Sequence, residues 1–475
     1  MSGDLIYANG VDGLTGQYLL PPVSAEDVAA RIKGDTEDSS LKGWLESVLR
    51  KVRGKHYGLP WDVDVADPSQ AGWGVVLAAD EDPDVKAEVE RLVEHRRGQF
   101  GDDMVKVLDY QAEESWSDWL TRHGTGPGNI DPSKVPFYLL LIGSPARVPF
   151  RLQYLLDVEY AVGRLDFDEA ADYGSYVKSV IAGEDDAVPP RSRLAAFFGT
   201  RHPHDPATEA SFEQLVRPLI EGETADRPGV VEALGFESTA LLGESATKAN
   251  LGDLLQSDGP DGRFSLLFSA THGIGGWPAG HPQQTAKHGA LLCQDWQGLG
   301  SMNASTYFAA SDLPADANVQ GAVAFFFACY SAGTPRADEF AVGTGDEAPT
   351  IADEPFVAAL PKAMLAHPNG GALAAIGHIE RAWGHSFLSE AGPLLVPFQS
   401  AIAEILRGSR LGWAIQDFNQ RYAALSANLS TVLRDISFGK TVDDVELAAL
   451  WTQRNDAQNY VLIGDPAVQL RVEDP

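Results

Sequence analysis

The sequence predicts an α/β protein with two adjoining, mostly parallel sheets flanked by helices. Three observations carry this. Runs such as 73-WGVVLAA-79, 137-FYLLLIG-143, 264-FSLLFSA-270 and 322-AVAFFFA-328 are near-continuously apolar. That is the pattern of strands covered on both faces, where half-exposed strands would alternate. These runs are separated by longer helical stretches, as strand–helix–strand units are. Hydrophobic residues make up 44% of the 475 and charged residues 22%, a balance that fills a packed core and excludes wholesale disorder.

In chain order, residues 1–70 read as an N-terminal extension with one helical stretch, 41-LKGWLESVLRKV-52, and no assignable role. A first α/β subdomain spans 71–187. It offers the strand 73–79, the helix 84-DVKAEVERLVEHRR-97, the strand 104-MVKVLDY-110, a helix near 114–123 and the strand 137–143. The segment 158-VEYAVGRL-165 and the helix 168-DEAADYGSYVKSVIAG-183 close it. The Pro- and charge-rich stretch 184-EDDAVPPRSR-193 marks the boundary. The second subdomain, 188–475, has strands at 194–199, 235–241, 264–270, 322–328 and 371–377, and helices at 207–221, 246–255 and 354–365. Two further helices, near 393–407 and 412–425, precede the closing run 460-YVLIGDPAVQL-470. Between two of these strands lies 271–320, rich in Gly, Pro and Gln, which reads as one long irregular segment of the functional or mobile kind.

Composition also excludes partners. A net charge of −31 opposes binding to nucleic acid or an anionic membrane face. No apolar run approaches the ~18 residues a membrane helix needs. The start, MSGDLIYANGVDG, has neither a basic nor an apolar leader region, so a cytoplasmic setting is expected. The only cysteines, Cys293 and Cys329, are too few for a disulfide framework. His281, His288 and Cys293 follow His272 at spacings that match no metal motif. No metal and no cofactor are expected.

Two of the most apolar strands end in reactive groups. FSLLFSA runs into Thr271, His272 and Gly273, and AVAFFFA runs into Cys329. Catalytic groups in open parallel sheets sit beyond the carboxyl ends of strands, so an imidazole and a thiol there can serve as base and nucleophile. Gly273 would let a substrate approach the backbone. Three other readings stand beside this one. Cys329 is a buried core thiol in the first. In the second, Ser331 of 329-CYSAG-333 is the nucleophile, with His378 or His385 as base, although the first glycine of a hydrolase elbow is missing. In the third, the chain is a non-catalytic scaffold that binds a partner in the same crevice.

With the segments 137-FYLLLIGSPARVPF-150, 158-VEYAVGRLDFDEAADYGSYVKSVI-181, 371-GALAAIGHIERAW-383 and 461-VLIGDPAVQL-470, the His-Gly and Ala-Cys strand ends resemble the caspase-like cysteine peptidases. In local detail they resemble the gingipain family. The resemblance implies that fold, with Cys329 as nucleophile, His272 as general acid/base and the N–H groups of Gly273 and Cys329 as oxyanion hole. It implies that Glu159 orients His272, that Trp383 walls the S1 pocket, and that Asp172, with Glu380 near it, gives that pocket a preference for Arg over Lys. The implied partner is a protein or peptide substrate; because an unguarded peptidase in the cytoplasm would be harmful, an activating protein or ligand is expected as well. The chain departs from gingipains in showing no signal, pro-region or adhesin extension. Its long 274–320 segment is expected to order or be cut before the site works.

Overall fold

The computed structural model describes residues 5–6, 10–19, 23–34, 63–224, 227–257, 263–298, 302–340, 348–389 and 392–474. The helix expected at 41–52 lies outside the described residues. Strands used below are β1 (Gly10–Asp12), β2 (Trp73–Ala78), β3 (Val105–Tyr110), β4 (Tyr138–Ile142), β5 (Ala161–Leu165), β6 (Leu194–Gly199) and β7 (Glu237–Leu242). They continue with β8 (Leu266–Ala270), β9 (Gly273–Gly275), β10 (Leu291–Leu292), β11 (Tyr307–Phe308), β12 (Val323–Phe327), β13 (Ala374–His378) and β14 (Tyr460–Gly464). The helices are α1 (Ala25–Gly34), α2 (Pro83–Phe100), α3 (Ala170–Glu184), α4 (Pro206–Ser211), α5 (Ala359–Leu365) and α6 (Asp444–Gln458).

The fold is α/β, and its two strand series adjoin edge to edge in one ten-stranded sheet of order β3-β2-β4-β5-β14-β13-β12-β8-β6-β7. The apolar runs are its inner strands, each buried along its length, while the edge strands β3 and β7 alternate or are exposed. β14 joins the halves: it pairs parallel with β5 and antiparallel with β13. The two series therefore point opposite ways. β8, β12 and β13 deliver their carboxyl ends to one edge of the sheet, and β2, β4 and β5 deliver theirs to the other.

Sequence motifs at this seam have structural work. Gly163 of β5 lies so close to β14 that a Cβ there would stand 2.1 Å from the Gly464 carbonyl oxygen. Buried Arg164 donates to the carbonyls of Gly143 and Val148. Asp465, fully buried, accepts from Arg96 of α2 at 2.7 Å and from the Trp73 indole at 2.9 Å.

The 271–320 segment departs from the expected irregular loop. β9, β10 and β11 lie within it and form a second sheet of order β11-β10-β9-β1, so the N-terminal strand β1 is built into it. Among the described residues no helix is long and apolar enough to cross a membrane.

Candidate active site

β8 and β12 pair in parallel, with Leu266 opposite Val323 and Ala270 opposite Phe327. Continued by two residues, that register sets His272 beside Cys329 at the ends of neighbouring strands, which run about 4.8 Å apart. The Thr271 N–H still donates to the Phe327 carbonyl at 3.2 Å. Gly273 fits tightly against the cysteine backbone: a Cβ there would stand 1.8 Å from the Cys329 carbonyl oxygen and 2.7 Å from its nitrogen. Gly273 thus lies directly against the Cys329 backbone.

His272 and Cys329 are both fully buried. Cys329 Sγ accepts the Ala382 N–H at 3.1 Å. Burial pushes the thiol up to about 12, against the pull of that N–H and of Arg381. The loops around it are strained. Tyr330 has φ 58° and Glu380 has φ 67°, a left-handed conformation that costs a side-chain-bearing residue about 1–3 kcal/mol and collects at functional sites. The two residues hold one another, with the Tyr330 N–H donating to the Glu380 carbonyl at 2.6 Å.

The carboxylate on His272 is Asp205, which sequence reasoning missed. Its Oδ2 lies 2.6 Å from His272 Nε2. Asp205 caps α4, accepting the Ala207 N–H at 3.1 Å, and accepts the Thr208 hydroxyl at 2.8 Å and the Tyr18 hydroxyl at 2.5 Å. Burial would raise this carboxyl, yet His272 and the hydrogen bonds from His272, Tyr18 and Thr208 hold it well below the usual carboxylate range. Such an acceptor fixes the imidazole proton on Nε2 and leaves Nδ1 with its lone pair. His272 Nδ1 is buried with no hydrogen-bond partner among the described residues. The signal for Asp205 in the sequence is the Asp-Pro-Ala-Thr helix start after β6, which announces a cap and nothing more.

The other expected site residues divide. Glu380 and Trp383 follow β13; the Glu380 carbonyl accepts the Tyr330 N–H, and the Trp383 ring packs against Phe340 at 5.3 Å in a cluster with α1 and α6. Glu380 is fully buried and its carboxylate is already used: one oxygen takes Arg381 at 2.7 Å, the other the Glu339 N–H at 2.8 Å. Burial pushes this carboxyl up to about 8, with Arg381 opposing. Glu159 does not reach His272. It sits in the turn before β5, accepting the Gly128 N–H at 3.0 Å, with β14, β13 and β12 between β5 and β8. Asp172 lies in the first turn of α3, beyond the opposite end of β5. It opens into a cleft of about 1110 Å³ lined also by Asp168, Lys287, Lys362 and His367, and by neither Cys329 nor His272.

Ser331 is committed to the backbone: its hydroxyl donates to the Phe326 carbonyl and accepts the His378 N–H, both at 3.0 Å. His378 Nε2 faces the Asp456 carbonyl at 3.0 Å, and the His385 side chain lies outside the described residues. His288 pairs with Thr334, and buried Cys293 donates to Leu291. Among the described residues no group of three or more His, Cys, Asp or Glu is arranged to hold a metal ion.

No protein-family model and no curated protein sequence matches the chain. Among solved structures, the chain is similar to a protein described as a protease, at TM-score 0.47 and 13% identity, covering 86% of this chain and 81% of that one. It is also similar to the complex of the pro- and mature domains of RgpB from Porphyromonas gingivalis, at TM-score 0.44 and 12% identity, covering 84% of this chain and 80% of that one. The residues of this chain, rather than either likeness, carry the functional reading.

Proposed function

We propose that the protein is a cysteine endopeptidase in which Cys329 is the nucleophile, His272 the general acid/base and Asp205 the group that orients the imidazole. The supporting observation is the shared register of β8 and β12, which sets a thiol and a carboxylate-bound imidazole at adjoining strand ends. In this reaction His272 takes the thiol proton and Sγ attacks the peptide carbonyl carbon. The N–H groups of Gly273 and Cys329 donate to the oxyanion. The imidazolium then returns its proton to the departing amine, leaving a thioester. Water, deprotonated by His272, hydrolyses the thioester and frees the carboxylic acid and the thiol.

Cleavage after Arg, with Lys second, remains part of this reading. The net charge of −31 steers basic peptides toward the molecule. Glu380 supports the preference less than expected, because Arg381 already neutralises it. Asp172 lines a separate cleft.

The test is peptide hydrolysis by the wild-type chain, Cys329→Ala and His272→Ala, on matched substrates carrying Arg, Lys, Asp or Leu at P1. Cleavage lost in both variants, with the fold retained, is expected. Turnover equal to wild type in either variant overturns the assignment, and a preference for Asp or Leu overturns the P1 reading alone.

A further inference from the structure

The geometry points to the edge of β9 beside Cys329 as the docking groove for the main chain of an extended peptide, a groove that the chain's own residues 10–19 fill in this conformation. What the groove receives rests on the peptidase reading; that it is filled does not.

β9 has one partner on each side. The Ile274 N–H donates to the Ala290 carbonyl, and the Ile274 carbonyl accepts the Gly289 N–H, both on the β10 side. Alternation along a strand therefore turns the backbone groups of Gly273 and Gly275 toward the other side. There β1 pairs in parallel, Gly10 opposite Gly273 and Asp12 opposite Gly275, and the Gly13 N–H donates to the Gly275 carbonyl at 2.8 Å. Without β1 that side of β9 is an open sheet edge, the kind of surface an extended peptide completes by adding a strand.

The occupying segment is a tight hairpin. The Asp12 N–H donates to the Gln17 carbonyl and the Leu19 N–H to the Gly10 carbonyl, while Asp12 Oδ1 accepts the N–H groups of Leu14 and Thr15, each at 2.8 Å. Its contacts fall on each proposed catalytic group in turn. A Cβ on Gly10 would stand 2.9 Å from Cys329 Sγ and 2.5 Å from Leu19 Cδ1. Only glycine lets the strand lie this close to the sulfur, and Leu19 packs beside it. The Tyr18 ring meets the His272 ring edge-on at 5.7 Å, and its hydroxyl donates to Asp205. Just downstream, Ala25, Ala29 and Ile32 of α1 pack in one cluster with Trp383. The hairpin is part of what covers the fully buried thiol. A substrate carbonyl reaches Sγ only once residues 10–19 leave.

The test is iodoacetamide labelling of Cys329 in the full chain, read by peptide mass mapping, with buried Cys293 as internal control. Wild type, Gly10→Leu and the double variant Tyr18→Phe/Leu19→Ala are compared. Gly10→Leu cannot share space with Sγ, and the double variant loses the hairpin's side-chain contacts without adding bulk. Cys329 should label about tenfold faster in both variants, as loss of a modest bias toward the covered state requires, with Cys293 unchanged. A synthetic peptide of residues 10–19 added to Gly10→Leu should slow the labelling again. The proposal is overturned by wild-type labelling as fast as an exposed thiol, by variants that label like wild type, by Cys293 rising together with Cys329, or by a peptide without effect. If labelling and peptide protection behave as expected yet no substrate is cleaved, the peptidase reading falls and the filled groove stands.

Discussion

At the scale of single residues, the His272–Asp205 contact makes the sharpest demand. A neutral imidazole offers one donor and one acceptor nitrogen, and a carboxylate accepts only. With Asp205 Oδ2 at 2.6 Å from Nε2, the proton belongs on Nε2. An amide in place of the carboxylate can present its NH₂ to that nitrogen, invert the tautomer and withdraw the counter-charge for the imidazolium. Asp205→Asn should therefore lower kcat by about 10²- to 10⁴-fold, while Glu159→Gln, at the far side of β12, β13 and β14, changes it far less. The Tyr18 hydroxyl ends on the other oxygen, Oδ1, which the amide keeps, so this variant should leave the hairpin in place. Turnover falls while Cys329 labels as in wild type, a combination that a simple loss of packing would not produce. Equal kcat for Asp205→Asn and wild type would remove Asp205 from the mechanism.

At the scale of elements, burial pattern made the strands readable and pairing did not. The runs ending in His272 and Cys329 are covered on both faces, so their composition alone named them, and their ends named the reactive pair. Asp205 escaped because its contact with His272 joins residues far apart in sequence and depends on β6 lying next to β8. β9 escaped for a related reason: Gly-Ile-Gly becomes a strand because β10 and β1 lie alongside it, and no local pattern records that. Helix α6 was missed outright; several of its polar residues are buried in particular contacts, as Asp456 is against His378 and the Trp383 N–H, and these hide its buried face from a hydrophobic pattern. The Gly-Asp-Pro turn after β14 was read as a family mark, and it is also a structural tie. Asp465 is the buried counter-charge of Arg96. Asp465→Ala leaves that guanidinium with Glu184 alone and should cost about 3–5 kcal/mol in urea unfolding, the range for a broken buried pair. Adding Arg96→Met should recover part of the loss, since the penalty lies in the abandoned charge. A loss below ~1 kcal/mol would show that the tie is dispensable.

At the scale of the whole molecule, stability against pH is set by groups that the fold holds away from their ordinary protonation, and two sets oppose each other. His288, walled by Trp277, Tyr330 and Phe356, is lowered by burial from 6.5 to about 3. Glu339 is raised from 4.5 to about 7 by burial, with Arg454 opposing. Between pH 4.5 and 6.5 the unfolded chain protonates the histidine and the folded chain does not, so this group makes stability rise with pH. Across the same window the folded chain keeps the Glu339 proton that the unfolded chain has released, so that group makes stability fall with pH. Each unmatched proton contributes a slope of about 1.4 kcal/mol per pH unit, and in wild type the two slopes cancel. Substitution should separate them. Relative to wild type, His288→Gln should tilt the unfolding free energy downward with rising pH by about 1.4 kcal/mol per unit, and Glu339→Gln should tilt it upward by the same amount. Urea unfolding at several pH values inside that window measures both tilts. Parallel profiles for all three proteins would mean that neither group is held away from its ordinary protonation by the fold.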